Sequence, residues 1–437
     1  MTNDNLLQIL YEWNFWNREV SSLVGHRRAY LDDLVKMLHL PEVKVLTGVR
    51  RSGKTTLMYQ LINHLISQGH SPQACLYVNF EEPAFLTELN LDLLKQIYRV
   101  YRERICPNGK AFLFLDEIQH LPAWEKWVRA EYDKRTDLQI FVSGSNSSLM
   151  QSEFSTLLTG RNLSFQVRPL SFREFLSVRM RLTSRPPLDY FALAPQKAEI
   201  KFHLMDYLAW GGFPETLARD ENEKKRLLQQ YFDDIINKDI IARYRIRETF
   251  GLKRLAAYLM QNSGNLLSLT TLQKSLEFSK DTGKEYLSYL EDAGLLHQTL
   301  YFAFSLKKSM SNNRKIYACD TGLRNAVSYS FTKDYGRLAE NLVYLKLRAE
   351  YEQVFYWKQT NEVDFVVVRG NQFFPINVCY SETLPPREME GLTQFMREFK
   401  TAEAWLISEE KYGKEEVVEG VIHFLPLWYF LLNPLEI

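Results

Sequence analysis

Cysteine is sparse. Cys75, Cys106, Cys319 and Cys379 are the four in 437 residues, far apart and without a C-x-x-C pair. Such spacing indicates neither a zinc site nor a disulfide framework, and it suits a reducing compartment. No apolar run reaches the roughly 18 residues that a membrane span requires; the most apolar tail, Phe424 to Leu432, is too short. The stretch from Met1 to Asn17 is polar and aromatic and has no apolar core of a leader. Charge of one sign is also lacking. The formal net charge is +1, so no global field points to nucleic acid or a membrane, and any basic surface must be local. Internal repeats and low-complexity segments are absent. These absences predict a soluble, cytoplasmic protein with no membrane partner. Hydrophobic content of 46% and charged content of 24% are ordinary for globular chains, and the length suggests about three domains.

What is present is concentrated in one segment. Gly48 to Thr55 fits G-x-x-x-x-G-K-[ST], follows the apolar run Val43–Leu46 and precedes the helix-like run Leu57–Ile66. That context predicts a phosphate-binding loop. Gly48 and Gly53 let the backbone curl so that N–H groups point inward, and the following helix adds the positive end of its dipole. Arg51, Ser52 and Thr56 belong to the same cradle. For Arg51 a phosphate contact and simple solvation both remain open. Lys54 is expected to reach the β- and γ-phosphates of ATP, and the Thr55 hydroxyl to ligate Mg²⁺.

Residues 41–170 alternate short apolar strands with amphipathic helices, the pattern of a parallel α/β sheet. Strands are expected at Val43–Leu46, Ala74–Phe80, Ala111–Leu115, Gln139–Ser143 and Leu163–Val167. The third ends in Asp116 and Glu117. An acid at that point suits a Mg²⁺ shell for Asp116, and its neighbour Glu117 is placed to orient the attacking water. The fourth ends in Ser143-Gly144-Ser145-Asn146, where Ser145 or Asn146 either contacts the γ-phosphate or caps a helix.

Gly48–Thr56, Leu115-Asp116-Glu117-Ile118-Gln119, Gly144-Ser145, Thr159-Gly160-Arg161 and Pro169-Leu170-Ser171-Phe172 together resemble AAA-type ATPases of prokaryotes, as does the block Tyr207–Glu215. In that family the ATPase module is fused to a C-terminal domain of unknown function. The resemblance runs over almost the whole chain and implies an AAA+ or STAND-like P-loop core. Arg161, after the last helix of that core, is the arginine-finger candidate, acting within its own chain or on a neighbour in an oligomer; pairing with a local carbonyl or acid is the alternative.

Residues 1–40 read as a helical segment and 171–247 as a mostly helical lid. Residues 248–330 read as helices followed by strands at Leu300–Leu306 and Lys315–Cys319, the layout of a winged helix. Ser279, Lys280, Thr282 and Lys284 would start its recognition helix. Lys307, Lys308, Arg314 and Lys315 would flank a wing and meet DNA phosphates. Packing against a protein partner is the competing role, since Asp281, Glu285, Glu291 and Asp292 dilute the charge.

Residues 336–437 begin with a helix carrying Glu340. Strands follow at Val354–Trp357, Val363–Val368, with Glu362 and Asp364, and Phe373–Val378. The order resembles a PD-(D/E)xK, restriction-endonuclease-like fold, as the family's C-terminal domain does. Here Asn377 stands at the acid position and Cys379 at the lysine position, so a nuclease would lack a ligand and its positive group. The expectation is therefore a degenerate domain that binds a partner or nucleic acid. Taken together, the sequence predicts an ATPase that couples its nucleotide state to DNA or a protein partner. A slow ATP-controlled switch and an ATP-gated nuclease are the alternatives.

Overall fold

The structure is a computed structural model of the whole chain. It describes residues 1–20, 23–134, 137–145, 160–180, 182, 187–268, 272, 278–328 and 334–435. Asn146 and Thr159 lie outside the described residues. The chain forms two compact units, Met1–Arg168 with Asp292–Gly294, and Pro169–Glu291 with Leu295–Ile437.

The first unit is built on strands β1 (Val43–Thr47), β2 (Cys75–Asn79), β3 (Ala111–Asp116), β4 (Leu138–Gly144) and β5 (Asn162–Gln166), within one or two residues of the expected ranges. They form one parallel sheet in the order β2-β3-β4-β1-β5. β1, β3 and β4 are buried along their whole length. Helices cover a parallel sheet on both faces, which is why these strands read as continuous apolar runs. Helices α1 (Asn3–Trp13), α2 (Tyr30–Lys36), α3 (Lys54–Ser67), α4 (Leu91–Arg104) and α5 (Trp124–Lys134) supply the cover. The N-terminal segment is part of this unit. Leu6 and Leu10 of α1 are buried with Val78, Leu94 and Ile97, and Asn14 bonds the backbone of Tyr77 on β2.

The second unit begins with helices α6 (Phe172–Arg179), α7 (Lys197–Trp210) and α8 (Glu221–Asp234). Capping boxes start α6 at Ser171/Glu174 and α8 at Asp220/Glu223. A small antiparallel sheet follows, β6 (Leu266–Leu267), β7 (Leu296–Thr299) and β8 (Arg314–Ala318), in the order β6-β8-β7. Helices α9 (Thr249–Gln261) and α10 (Lys280–Asp292) precede β7. Two expectations fail here. The strand expected over Leu300–Leu306 is reduced to a single parallel bridge, Tyr301 to Tyr356, after which Ser305 caps a helix, Leu306–Ser311. Lys307 and Lys308 therefore stand on that helix and not on a wing. Lys315 is not a surface cation at all: it is 2% exposed.

Helices α11 (Thr321–Val327) and α12 (Tyr335–Glu350) lead into β9 (Val354–Lys358), β10 (Glu362–Arg369) and β11 (Gln372–Cys379), then α13 (Pro386–Phe399) and β12 (Glu403–Ser408). With β13 (Gly413–Val417) and β14 (Gly420–Pro426) they complete a sheet in the order β13-β14-β12-β11-β10-β9. One of its cores gathers Phe302, Trp357, Phe395, Leu406 and Phe424. Among the described residues no helix is long and apolar enough to cross a membrane.

Candidate nucleotide-binding site

Sheet order builds the site. β4 lies between β1 and β3, with Thr47 opposite Gly144 and Leu115 opposite Val142. The carboxyl ends of three strands thus meet at one edge, carrying the loop after Thr47, the acids Asp116 and Glu117, and the serines Ser143 and Ser145.

The loop needs its glycines. Gly48 has φ 145°, and a Cβ there would lie 2.0 Å from Val167 O. Gly53, at φ 97°, precedes α3 and offers no side-chain cap. The first N–H groups of α3 are consequently uncapped by any side chain, the condition that makes a helix start receptive to an anion. Arg51 is a non-glycine at φ 69°. Backbone strain of this kind collects at functional loops. Ser52 Oγ is buried without a hydrogen-bond partner among the described residues.

Lys54 is 4% exposed, and its ammonium donates to Gly48 O (3.0 Å) and Val49 O (3.4 Å). It lies 4.0 Å from a Glu117 oxygen. A buried ammonium held by loop carbonyls is a cation already desolvated and aimed at the hollow of the loop, where phosphate oxygens make stronger, charge-assisted bonds. Thr55 Oγ1 donates to Asp116 Oδ2 at 2.6 Å. The orphan Ser52 hydroxyl, the uncapped helix and the paired Thr55 and Asp116 fit a nucleotide phosphate with its divalent cation. Thr56 points elsewhere: its methyl lies 3.3 Å from where a Cβ on Gly25 would be.

Asp116 is 1% exposed and heavily bonded. Tyr77 OH donates to Oδ2 at 2.7 Å, and the Ser143 hydroxyl donates to Oδ1. Ser143 Oγ in turn accepts from Glu117 N–H at 3.0 Å. Glu117 has φ 53°, so the backbone turns sharply and presents its carboxylate to the edge. Gln119 Nε2 holds Glu117 Oε2 at 2.6 Å and sits 3.5 Å from Ser145 Oγ. Burial raises the Glu117 carboxyl above the ordinary carboxylate range, and nearby Lys54 offsets part of that rise.

Arg50, inside the loop, pairs with Glu81 at 2.9 Å, and Glu81 lies 3.4 Å from His120 Nε2. The bond from His120, aided by Arg50, pulls Glu81 down to about 2. Glu81, Glu117 and His120 each bring a ligand atom within 4.8 Å of the others. The cations Arg50 and Lys54 stand against two of the three, which works against a divalent ion there.

Four bracing residues were given no role by sequence reading. Buried Arg28 donates to Ser52 O (2.6 Å) and Arg168 O (2.7 Å), fastening the loop from behind. Tyr77 and Ser143 look like ordinary strand residues until the parallel register brings them beside Asp116. Gln119 carries a weak signal, two residues after Glu117.

Arg161 is the expected site residue that this edge does not contain. Its carbonyl accepts from Val43 N–H at the start of β1, the end of the strand opposite the loop. Its guanidinium pairs with Asp133 at 3.3 Å and lies over the Tyr132 ring. In its own chain Arg161 therefore cannot reach the phosphate edge, and the local pairing with an acid is what the structure shows.

A parallel sheet whose first strand closes on a lysine-led helix, with an acid-ended strand beyond an inserted neighbour, defines an AAA-type P-loop ATPase domain. Residues 41–176 match the family described as an AAA domain, while 201–334 and 335–430 match two domains of unknown function, DUF8612 and DUF4143. An uncharacterised protein of Methanocaldococcus jannaschii is 34% identical over 411 residues, 90% of this chain and 88% of its own. Another, of Haemophilus influenzae, is 27% identical over 409 residues, 92% of this chain and 97% of its own. The chain belongs to this family of AAA-domain proteins. Among solved structures it resembles PCH-2 of C. elegans over 52% of this chain and 65% of that one, at 16% identity and a TM-score of 0.29, a likeness too slight to carry an argument.

Proposed function

We propose that the first unit binds Mg·ATP in the Gly48–Thr55 loop and hydrolyses it. The Thr55–Asp116 contact at 2.6 Å, beside the buried Lys54, carries this reading. It joins a hydroxyl and a carboxylate suited to hold one hydrated divalent cation. When bound, Mg²⁺ would neutralise charge on the phosphate oxygens. Lys54, the α3 N-terminus, Gly48, Arg51, Ser52, Gly53 and Ser145 would hold the phosphates. Glu117, oriented by Gln119, would accept a proton from the attacking water. The test is binding of a fluorescent ATP analogue and steady-state phosphate release. Lys54→Ala should abolish both; normal nucleotide binding by that variant would refute the assignment.

A second reading, a slow ATP-controlled switch, draws support from the placement of Arg161. An arginine at the γ-phosphate is worth ~10³–10⁵ in rate. A chain that does not bring Arg161 there turns over slowly until a second copy or a partner supplies a cation. Stimulation of phosphate release at high protein concentration or with added duplex DNA separates the readings. DNA is the less supported partner. Lys284 near the start of α10 is paired with Asp281 at 3.4 Å, which offsets its charge.

For the C-terminal domain we infer a degenerate nuclease-like role in binding. The order α12, β9, β10, β11, α13, β12 supports it, with Glu340 on the helix and Asp364 on the second strand. Asn377 is tied up structurally: its Oδ1 accepts from Asp364 N–H, and its Nδ2 donates to Glu388 O. Unaltered duplex and single-stranded DNA after incubation with Mg²⁺ and ATP is the expected result.

A further inference from the structure

The lysine that Cys379 fails to provide is present, and it comes from another sheet. Lys315 on β8 sends its ammonium between three carboxylates: 2.9 Å to Glu340 on α12, 2.6 Å to Glu362 and 3.0 Å to Asp364 on β10. An ammonium has three N–H donors, and here each finds one acid. Lys315 is 2% exposed.

The other acceptor positions are taken from the surrounding protein. Tyr317 OH donates to Glu340 at 2.7 Å, Lys358 to the outer oxygen of Glu362 at 2.8 Å, and Val378 N–H to the second oxygen of Asp364 at 3.0 Å. Gly264 closes the far side; a Cβ there would come 3.2 Å from Glu340 Oε2. Beside the cluster lies a cleft of about 430 Å³ lined by Lys315, Lys358, Glu362, Tyr258 and Asn262.

Three inward acids from a helix and a strand form an oxygen cage of the kind that holds a hard divalent cation. A tethered ammonium at its centre bonds the same three acids with a single charge. Burying those acids without a cation would be strongly unfavourable, so the lysine is what permits the cluster to exist in the fold. The ion pairs also bind β8 of the small sheet to α12 and β10 of the large one.

We propose that Lys315 is a built-in counter-ion filling the cation place among Glu340, Glu362 and Asp364. The native cluster takes up no divalent metal, and removing the ammonium uncovers a divalent-cation site. The proposal is independent of the nucleotide site, and every chain carries Lys54→Ala and is tested without nucleotide, so that any Mn²⁺ held there is common to all and cancels between them.

The experiment compares full-length chains with Lys54→Ala alone, with added Lys315→Met, and with added Lys315→Met and Asp364→Asn. Mn²⁺ is the probe, followed by titration of its paramagnetic resonance signal and by thermal melting. The expected result is no Mn²⁺ uptake at the cluster by the first chain. The second should melt several degrees lower, gain one equivalent of Mn²⁺ and recover part of its melting temperature with the metal. The third should lose both gains. Failure of the second chain to take up Mn²⁺ would overturn the cation site. Should that chain not fold, Asp364→Asn in the Lys54→Ala background decides. The proposal requires unchanged Mn²⁺ binding and a lowered melting temperature, whereas an equivalent of Mn²⁺ lost on this substitution would show metal bound with the lysine in place.

Discussion

Thr55 donates its hydroxyl hydrogen to Asp116 across 2.6 Å, tying the first turn of α3 to the end of β3. Two segments far apart in sequence thus share one carboxylate before any ligand arrives. Asp116→Ala should weaken Mg²⁺-dependent nucleotide binding and lower turnover by about 10²-fold or more, by removing the cation's anchor. Tyr77→Phe removes only one of that carboxylate's bonds and should cost about 1 kcal/mol of stability. Titration with nucleotide in the presence and absence of Mg²⁺, with chemical denaturation alongside, checks both.

Glu117→Gln should lower phosphate release by ~10²–10⁴ while leaving nucleotide binding intact. Because burial holds the Glu117 carboxyl above the ordinary range, it becomes protonated, and useless as a base, at a higher pH than an exposed glutamate. The acid limb of the kcat profile should therefore lie above the usual carboxylate range and be absent from the residual rate of Glu117→Gln. A limb at ordinary glutamate pH counts against Glu117 as the base.

Arg161→Ala should leave turnover of the dilute chain within about twofold of wild type, as its guanidinium pairs with Asp133 away from the loop. The stability cost of that half-exposed pair should be about 1 kcal/mol or less. A large drop in turnover at low protein concentration would contradict this placement, while a drop confined to high concentration would assign Arg161 to a neighbouring chain.

Arg28→Met should destabilise the first unit by about 2–4 kcal/mol, since it strands the buried carbonyls of Ser52 and Arg168. Nucleotide affinity should fall as well, because the loop loses its brace. Saturating ATP should restore part of the melting temperature.

Asp320 offers a pH test in the second unit. It is buried, caps α11 through Leu323 N–H at 2.8 Å and accepts from Gly212 N–H at 2.7 Å. Burial outweighs these bonds and pushes its carboxyl from 3.8 up to about 6. The folded state thus holds this proton more tightly than the unfolded one. Its contribution is greatest below about pH 4 and declines as pH rises through about 6, by about 3 kcal/mol. Asp320→Asn should flatten that part of the stability profile. Asp320→Ala should cost about 2–4 kcal/mol near pH 4, by uncapping α11 and orphaning Gly212 N–H, and less as pH rises through about 6.

The loop and the acids of the candidate site were legible because their pattern is written in contiguous residues. Gly48, Gly53 and Lys54 must occur at set spacing for a loop to wrap phosphate. An apolar strand followed by Asp116 and Glu117 must look as it does to bury the sheet and set the acids at its edge. Where Arg161 stands in its own chain was not legible, because adjacency in sequence to the last strand says nothing about which end of that strand meets the loop. The β1–β5 pairing of Val43 with Asn162 settles that. The expected strand from Leu300 was lost to Ser305, whose capping of a short helix outweighed the apolar pattern before it.

Local pattern alone determined where phosphate is expected, which strands are buried and which acids face the sheet edge, since each follows from periodicity and backbone freedom within a few residues. Only the tertiary structure decided what Lys315 does. By sequence it is one of several basic residues near a polar loop; in the fold, strand pairing turns it inward, and α12 and β10 set three distant carboxylates around it. A charge's role depends on which opposite charges surround it and on how much water remains, and neither is recorded in its own neighbourhood of the chain.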